Sequence, residues 1–495
     1  MIYFLQKKIK NKGYLLVFLI IFILFVLKGF FFLDPDFGWY LQTGNLMRRI
    51  GILKTDPFSY TMPSYPIIDH EWLSNILISC IYSYVGMFGL VFVFSCFAIS
   101  SLYLQIKKEV GIVNILLLVG AFIMLPFFGV RIQVVTWFFF SLFIFVLREN
   151  KKNKFLILLP LFILWLNLHG GFILGLILFL FYYLDRYLKT RCIKEIWTGI
   201  LVVFTMVLLT GINPYGFRLL GEMIRQTTNT SLHLYINEWK PFFTILNIPF
   251  YLYSTLVLVF LFKNRKTTPL FTVLFLLFLF FSAISSIRNY PLWVIGSIFY
   301  ILAQFEILWK TVKKIKKGDE RFAIFNKYVQ TFFLLGILLQ ISLEGGSYYK
   351  STAEQMYPAK AIKFLKQNKF DGELFSVYGW GGYLIWKYPE KKVFIDGRMP
   401  SWHQKAPINK ESNNVFEEWK NIFSGRIKIQ SIQKKYNIEI VLIPTLQNMY
   451  LCKKPSVVSL LFNNLIVNKQ KKQKDMFKDF PIIYQDNVST IYSLN

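Results

Sequence analysis

"GYLLVFLIIFILFVLKGFFFLDPDFGWY", residues 13–40, runs an apolar stretch straight into two aspartates flanking a proline. From Tyr14 to Leu33 only Lys28 interrupts the apolar residues, and at 1.5 Å per residue that length matches one bilayer thickness. The basic "KKIKNK" ahead of it resembles a signal n-region, yet no small-residue cleavage site follows, so a retained signal anchor is expected.

The rest of the chain extends that reading. Over 495 residues, 55% are hydrophobic and 19% aromatic, more apolar material than a soluble core needs. Ten further apolar runs, near 87–106, 112–129, 132–147, 155–168, 171–184, 196–211, 249–263, 270–287, 291–309 and 329–343, bring the expected spans to about eleven. A net charge of +29 would suit nucleic acid, but the basic residues fall in short clusters between apolar runs, where they orient spans; no nucleic-acid partner is expected. Cys80, Cys96, Cys192 and Cys452 are far apart and match no metal or redox spacing, so neither a disulfide nor a zinc site is expected.

An alternating path with the N-terminus inside puts about 24 Lys/Arg in inner loops and about 8 in outer loops before residue 344. The same path sends every chemically unusual loop outward: "DPDFGWYLQTG", "IDHEWLS", "FFGVRIQ", "LNLHGGF", "TGINPYG", "NEWKPFF" and "SIRNYP". The expected organisation is a transmembrane domain over 1–343, with a first outer loop at 34–72 and another at 212–248, followed by an extracytoplasmic α/β domain over 344–495. In that last part "AKAIKFLKQNK" and "VFEEWKNIF" pattern as helices, "KVFIDG" and "IEIVLIP" as strands, and "FPIIYQD" with "STIYSL" as a hairpin. The fold class is thus an α-helical polytopic membrane protein with a C-terminal extracytoplasmic α/β domain.

Each motif has a structural and a chemical reading. Asp34 before Pro35 suits the N-cap of an amphipathic surface helix that ends at Arg48, Arg49 and Gly51. Asp36, near the second helical position, is less well explained by capping, so the functional case rests on it. Asp69 suits the cap of a helix containing His70, Glu71 and Trp72, yet the density of acids there also suits general-base chemistry or a divalent metal, with Asp36 and Glu71 as the ligands on offer. Arg131 and Arg288, lone basic residues at span ends, are either snorkelling anchors or phosphate ligands. Gly170-Gly171 suit a tight turn that leaves His169 and Asn167 at a span end; Glu238 and Trp239 are the notable residues of a loop whose amphipathic middle can act as a surface lid. Asp396, Gly397 and Arg398 either complete a turn or touch an acceptor.

Taken in order, "DPDFGWYLQTG", "TDPFSYT", "DHEWLS", "LNLHGGF", "NPYGFRLL", "INEWKP", "IRNYPLW" and "WGGYLIWKYPEKKVFIDGR" resemble a largely uncharacterised group of bacterial multi-pass proteins related to type C glycosyltransferases. The resemblance implies a polyprenyl-phosphate-linked sugar donor, usually inverting transfer, and an acid in the first outer loop acting as base or metal ligand. Carried onto this chain, that role falls on Asp36, then Asp34, with His70 and Glu71 supporting; Tyr40 stands where related sequences often have histidine. Arg131, His169, Glu238 and Arg288 are the substrate-binding candidates. The expected activity is hexosyl or pentosyl transfer to a glycan, lipid or protein acceptor on the outer face of a bacterial inner membrane, with a divalent metal as the one cofactor in view. An Asp36 of ordinary acidity, near 4, would be ionised at neutral pH. The alternatives are a transporter or flippase of a lipid-linked or anionic compound, and a non-catalytic membrane-anchored binding protein.

Overall fold

A computed structural model describes residues 12–106, 112–149, 154–229, 232, 235–244, 246–312, 314–315, 318–349, 353–445, 477 and 479–494. Most of the "KKIKNK" cluster, the "KK" at 107–108, parts of the 148–154 and 344–356 segments and Cys452 lie outside these residues.

Every apolar run falls on a helix: α1 Lys12–Phe31, α3 Trp72–Tyr103, α4 Val113–Met124, α5 Gln133–Arg148, α6 Lys154–Leu168, α7 Ile173–Thr190, α8 Ile193–Leu209, α10 Ile248–Lys263, α11 Leu270–Ser285, α12 Tyr290–Val312 and α13 Gly318–Tyr349. Among the described residues four segments are long and apolar enough to cross a membrane, Trp72–Tyr103, Gly170–Thr190, Ile287–Val312 and Glu320–Ser342. Of these, Ile287–Val312 is the most buried inside the protein. Helix α3 starts fifteen residues before the apolar run at 87–106 and is broken by Gly86, whose φ of 67° swings the chain out of helical geometry.

Between α1 and α3 lies α2, Phe37–Ile50, closed by Gly51 as expected, with φ 83° and its N–H on the Met47 carbonyl. It does not lie on an open surface. A Cβ on Gly38 would stand 1.8 Å from the Gly382 carbonyl oxygen, and one on Gly44 2.0 Å from that of Asn75. Both glycines thus let backbones touch, and α2 is clamped between α3 and the C-terminal unit.

That unit is built on a four-stranded sheet in the order β1-β2-β4-β3: Glu373–Ser376, Ile438–Pro444, Ser489–Ser493 and Ile482–Gln485. β1 and β2 are parallel, and the other pairs antiparallel. Helices α14 Ala359–Gln367, α15 Gly381–Lys387, α16 Val415–Phe423 and α17 Ile429–Tyr436 accompany it. One expected strand is absent. "KVFIDG" forms only single bridges, Val393 to Ser59 and to Leu374, because the segment is consumed by contacts with the first loop. Tyr60 N donates to the Val393 carbonyl at 3.2 Å, and Thr61 Oγ1 to that of Phe394 at 2.7 Å. Met62 and Tyr65 from that loop are part of the unit's own apolar core, beside Phe375, Phe394 and Val415.

Candidate functional site

Every second interhelix loop meets the C-terminal unit around one cavity of about 410 Å³, within the size range of small-molecule sites. Asp36, His70, Glu71, Arg131, His169, Glu238 and Arg288, seven of the eight residues singled out from the sequence, line it. Asp34 is not among the lining residues and stands behind, 2% exposed.

The two aspartates have separate jobs, differently divided from a cap and a free acid. Helix α2 begins only after Asp36, and neither carboxylate caps it. Asp34 Oδ1 accepts the Asp36 N–H at 2.9 Å, and its other oxygen is ion-paired with Arg131 Nε. Asp36 Oδ1 accepts the Trp39 indole N–H at 3.1 Å. Burial, then the Asp34 charge, pushes the Asp36 carboxyl up to about 7, with Arg131 and the Trp39 N–H pulling the other way. An ordinary acidity near 4 is thereby corrected: near neutral pH Asp36 is poised between its two forms.

The second acidic motif also departs from a simple cap. Asp69 accepts from the Glu71 N–H at 2.9 Å and from Asn75 Nδ2 at 2.8 Å, while α3 starts at Trp72. His70 and Glu71 therefore precede the helix instead of lying in it. Glu71 Oε1 sits 3.4 Å from His169 Nε2 and 3.6 Å from His70 Nε2. His169 Nδ1 accepts the Gly171 N–H at 3.0 Å and has Thr136 Oγ1 at 2.6 Å. An amide N–H can only donate, so the neutral ring carries its proton on Nε2, facing Glu71. Burial lowers both imidazoles, His70 to about 4, helped there by the Arg288 charge; burial, Asp69 and Asp36 together raise Glu71.

Arg131 is held between Asp34 and Glu238, both ion-paired to it. Arg288 lies 4.4 Å over the Trp239 ring and, among the described residues, has no carboxylate at ion-pair distance. No group of three or more His, Cys, Asp or Glu placed to hold a metal occurs among the described residues.

The sequence reading singled out Asp396 and Arg398 on the far wall but missed the residues around them. Arg225 of helix α9, Arg218–Thr227, pairs with Glu222 and donates to Tyr65 Oη at 2.7 Å and the Ser401 carbonyl at 2.6 Å, tying three segments together. Arg398 pairs with Asp396 and with Asp56, 342 residues earlier in the chain, at 2.5 and 2.9 Å. Trp402 stacks on Tyr65 at 4.4 Å. No local pattern announces pairs as distant in sequence as Asp56–Arg398 or Tyr65–Trp402.

Searches find no matching family model and no matching curated protein. Solved structures do match. The oligosaccharyltransferase of Archaeoglobus fulgidus tethered to an acceptor peptide shares 11% identity at a TM-score of 0.56, over 98% of this chain and 74% of that one. This chain has an oligosaccharyltransferase-like fold. The Archaeoglobus fulgidus AglB complex with an inhibitory peptide and a dolichol-phosphate gives 0.53 at 11% identity, over 88% and 70%. ArnT of Cupriavidus metallidurans bound to undecaprenyl phosphate gives 0.46 at 10% identity, over 98% of each chain.

Proposed function

We propose that this protein is a membrane glycosyltransferase of the hexosyl- or pentosyltransferase class, taking a sugar from a polyprenyl-phosphate-linked donor to a glycan, lipid or protein acceptor. In this reading residues 1–343 cross a bacterial inner membrane about eleven times, and 344–495 form an extracytoplasmic α/β domain. The observation that carries it is one cavity, at the loop ends of apolar helices, holding both the carboxyl of Asp36 and a guanidinium, Arg288, that among the described residues has no carboxylate at ion-pair distance. The fold likeness to an oligosaccharyltransferase supports the same class.

The chemistry follows from those two groups. Arg288 binds the donor phosphate through its planar fork. The acceptor hydroxyl oxygen attacks the anomeric carbon while its proton passes to the Asp36 carboxylate. The bond from the anomeric carbon to the phosphate oxygen breaks, and the phosphate leaves with the electron pair on the opposite face, which inverts the centre. Glu71, between the two neutral imidazoles, orients polar groups of the sugar or acceptor. A divalent cation, if bound, would neutralise phosphate charge and has Asp36 and Glu71 available as ligands.

Membranes containing the Asp36→Asn variant, supplied with lipid-linked sugars, test this. Loss of the base is expected to cut transfer by about 10²–10⁴-fold. Unchanged turnover would sink the assignment.

A further inference from the structure

Four arginines line the cavity, and carboxylates already hold three of them. Arg131 is flanked by Asp34 and Glu238, Arg225 by Glu222, and Arg398 by Asp396 and Asp56. Only Arg288 faces the cavity without such a partner among the described residues. One monovalent guanidinium balances about one negative charge, and in a buried site an unbalanced second charge is strongly disfavoured.

Glu238 is placed to enforce that limit. Its side chain is 33% exposed, whereas Asp34, the other partner of Arg131, is fully covered, so Glu238 is the carboxylate on the open side of Arg131. The short turn Asn237–Trp239 that carries it is stitched to the turn carrying Arg288. Ser286 Oγ donates to the Glu238 carbonyl at 3.1 Å, and Ile287 N to that of Lys240 at 3.0 Å. Trp239, the next residue, lies under the Arg288 guanidinium. Glu238 thus takes up Arg131 from the open side, one residue from the ring under Arg288, where a second phosphate would otherwise find a cation.

Resting on the transferase reading above, we infer that Glu238 fixes the donor class at a single phosphate: a lipid monophosphate sugar, not a lipid diphosphate. A diphosphate would set its second anionic group against Glu238, with no spare guanidinium to meet it. The cavity, at about 410 Å³, is also near the lower end for ligand sites, in keeping with one sugar unit instead of an oligosaccharide.

The test is a calorimetric titration of the full-length protein in phosphatidylcholine nanodiscs with farnesyl phosphate and farnesyl diphosphate, each with and without MnCl₂. A plain cationic pocket would favour the diphosphate for its extra charge, so the expected order is the stringent one: the monophosphate binds about tenfold more tightly. Glu238→Gln is expected to narrow that ratio by about tenfold, chiefly by tightening the diphosphate, and Glu238→Asp to preserve it. Diphosphate binding as tight as or tighter than monophosphate in the wild type, with or without Mn²⁺, overturns the inference while leaving the transferase reading standing. Equal tightening of both lipids by Glu238→Gln also overturns it. Binding of neither lipid removes the transferase reading and the inference together. The wild-type ratio decides the matter even if a variant does not fold.

Discussion

Gly397 of the C-terminal unit lies so close to Asp36 that a Cβ added to it would stand 1.9 Å from the Asp36 Oδ1 atom. The same unit makes a second backbone contact one residue earlier, where a Cβ on Gly382 would come within 2.1 Å of the Pro35 carbonyl oxygen. The "DPD" turn is therefore shaped from two sides. Arg131 holds Asp34 from below, and the glycines of "WGGYLIW" and "VFIDGRMP" fix Asp36 from above. Gly397 lies in the turn its sequence context suggests, closed by Met399 N–H on the Asp396 carbonyl, and both glycines have a packing reason besides.

Gly397→Ala is accordingly expected to displace the Asp36 carboxylate. The added methyl meets an atom on a short side chain and cannot be absorbed by a flexible end; overpacking of this kind costs about 1–3 kcal/mol. Transfer should fall by at least about tenfold, with a lowered thermal midpoint but retained membrane insertion. Full turnover in this variant would show that the position of Asp36 does not matter to the reaction.

The pH profile gives a second check. Asp36 must be ionised to accept a proton, and its carboxyl is raised to about 7 by burial and by Asp34. Transfer should therefore rise with pH through about 7 and fall roughly tenfold per unit below it. In Asp34→Asn the neighbouring negative charge is gone while the Arg131 charge remains, which favours the Asp36 carboxylate. The acidic limb should move to lower pH. A limb near 4 in the wild type would mean that the essential acid is an ordinary exposed carboxyl.

Arg288 separates charge from shape. Charge-assisted hydrogen bonds contribute about 1.5–3 kcal/mol each, so Arg288→Ala should weaken farnesyl phosphate binding by about 10–100-fold. Arg288→Lys keeps the charge but loses the fork and the flat contact with Trp239, and should recover only part of that loss. Equal binding by all three proteins in the same nanodiscs would move the phosphate elsewhere in the cavity.

The helices were legible because apolar length alone specifies them: all eleven runs fall on helices. The kink at Gly86 was not, since the residues on either side are apolar enough to continue one helix. For the site, the sequence offered residue types but not their partners. Asp34 looked like a cap because Pro35 follows it; Arg131, about 100 residues away, claims its free oxygen instead. Asp56 and Arg398, or Tyr65 and Trp402, are joined only by long-range folding. "KVFIDG" has strand composition, but its hydrogen-bonding groups go to the first loop, so its β propensity is overridden by tertiary context.

His169 supplies the last prediction, because two donors converge on its Nδ1. Gly171 N–H donates at 3.0 Å and Thr136 Oγ1 lies at 2.6 Å, while Trp165 Nε1 donates to the same Thr136 oxygen at 3.0 Å. Thr136→Val removes the hydroxyl but leaves the amide, so the proton stays on Nε2 toward Glu71. The ring keeps its orientation, although Trp165 loses an acceptor. Turnover should fall by less than about threefold and stability by about 1 kcal/mol. His169→Ala removes the Nε2–H that faces Glu71 and should lower kcat by about tenfold or more with little change in lipid binding. His169→Gln, whose amide N–H can reach toward Glu71, should recover part of kcat. If Thr136→Val proves as damaging as His169→Ala, the hydroxyl and not the amide sets the tautomer, and the ring's alignment on Glu71 depends on helix α5.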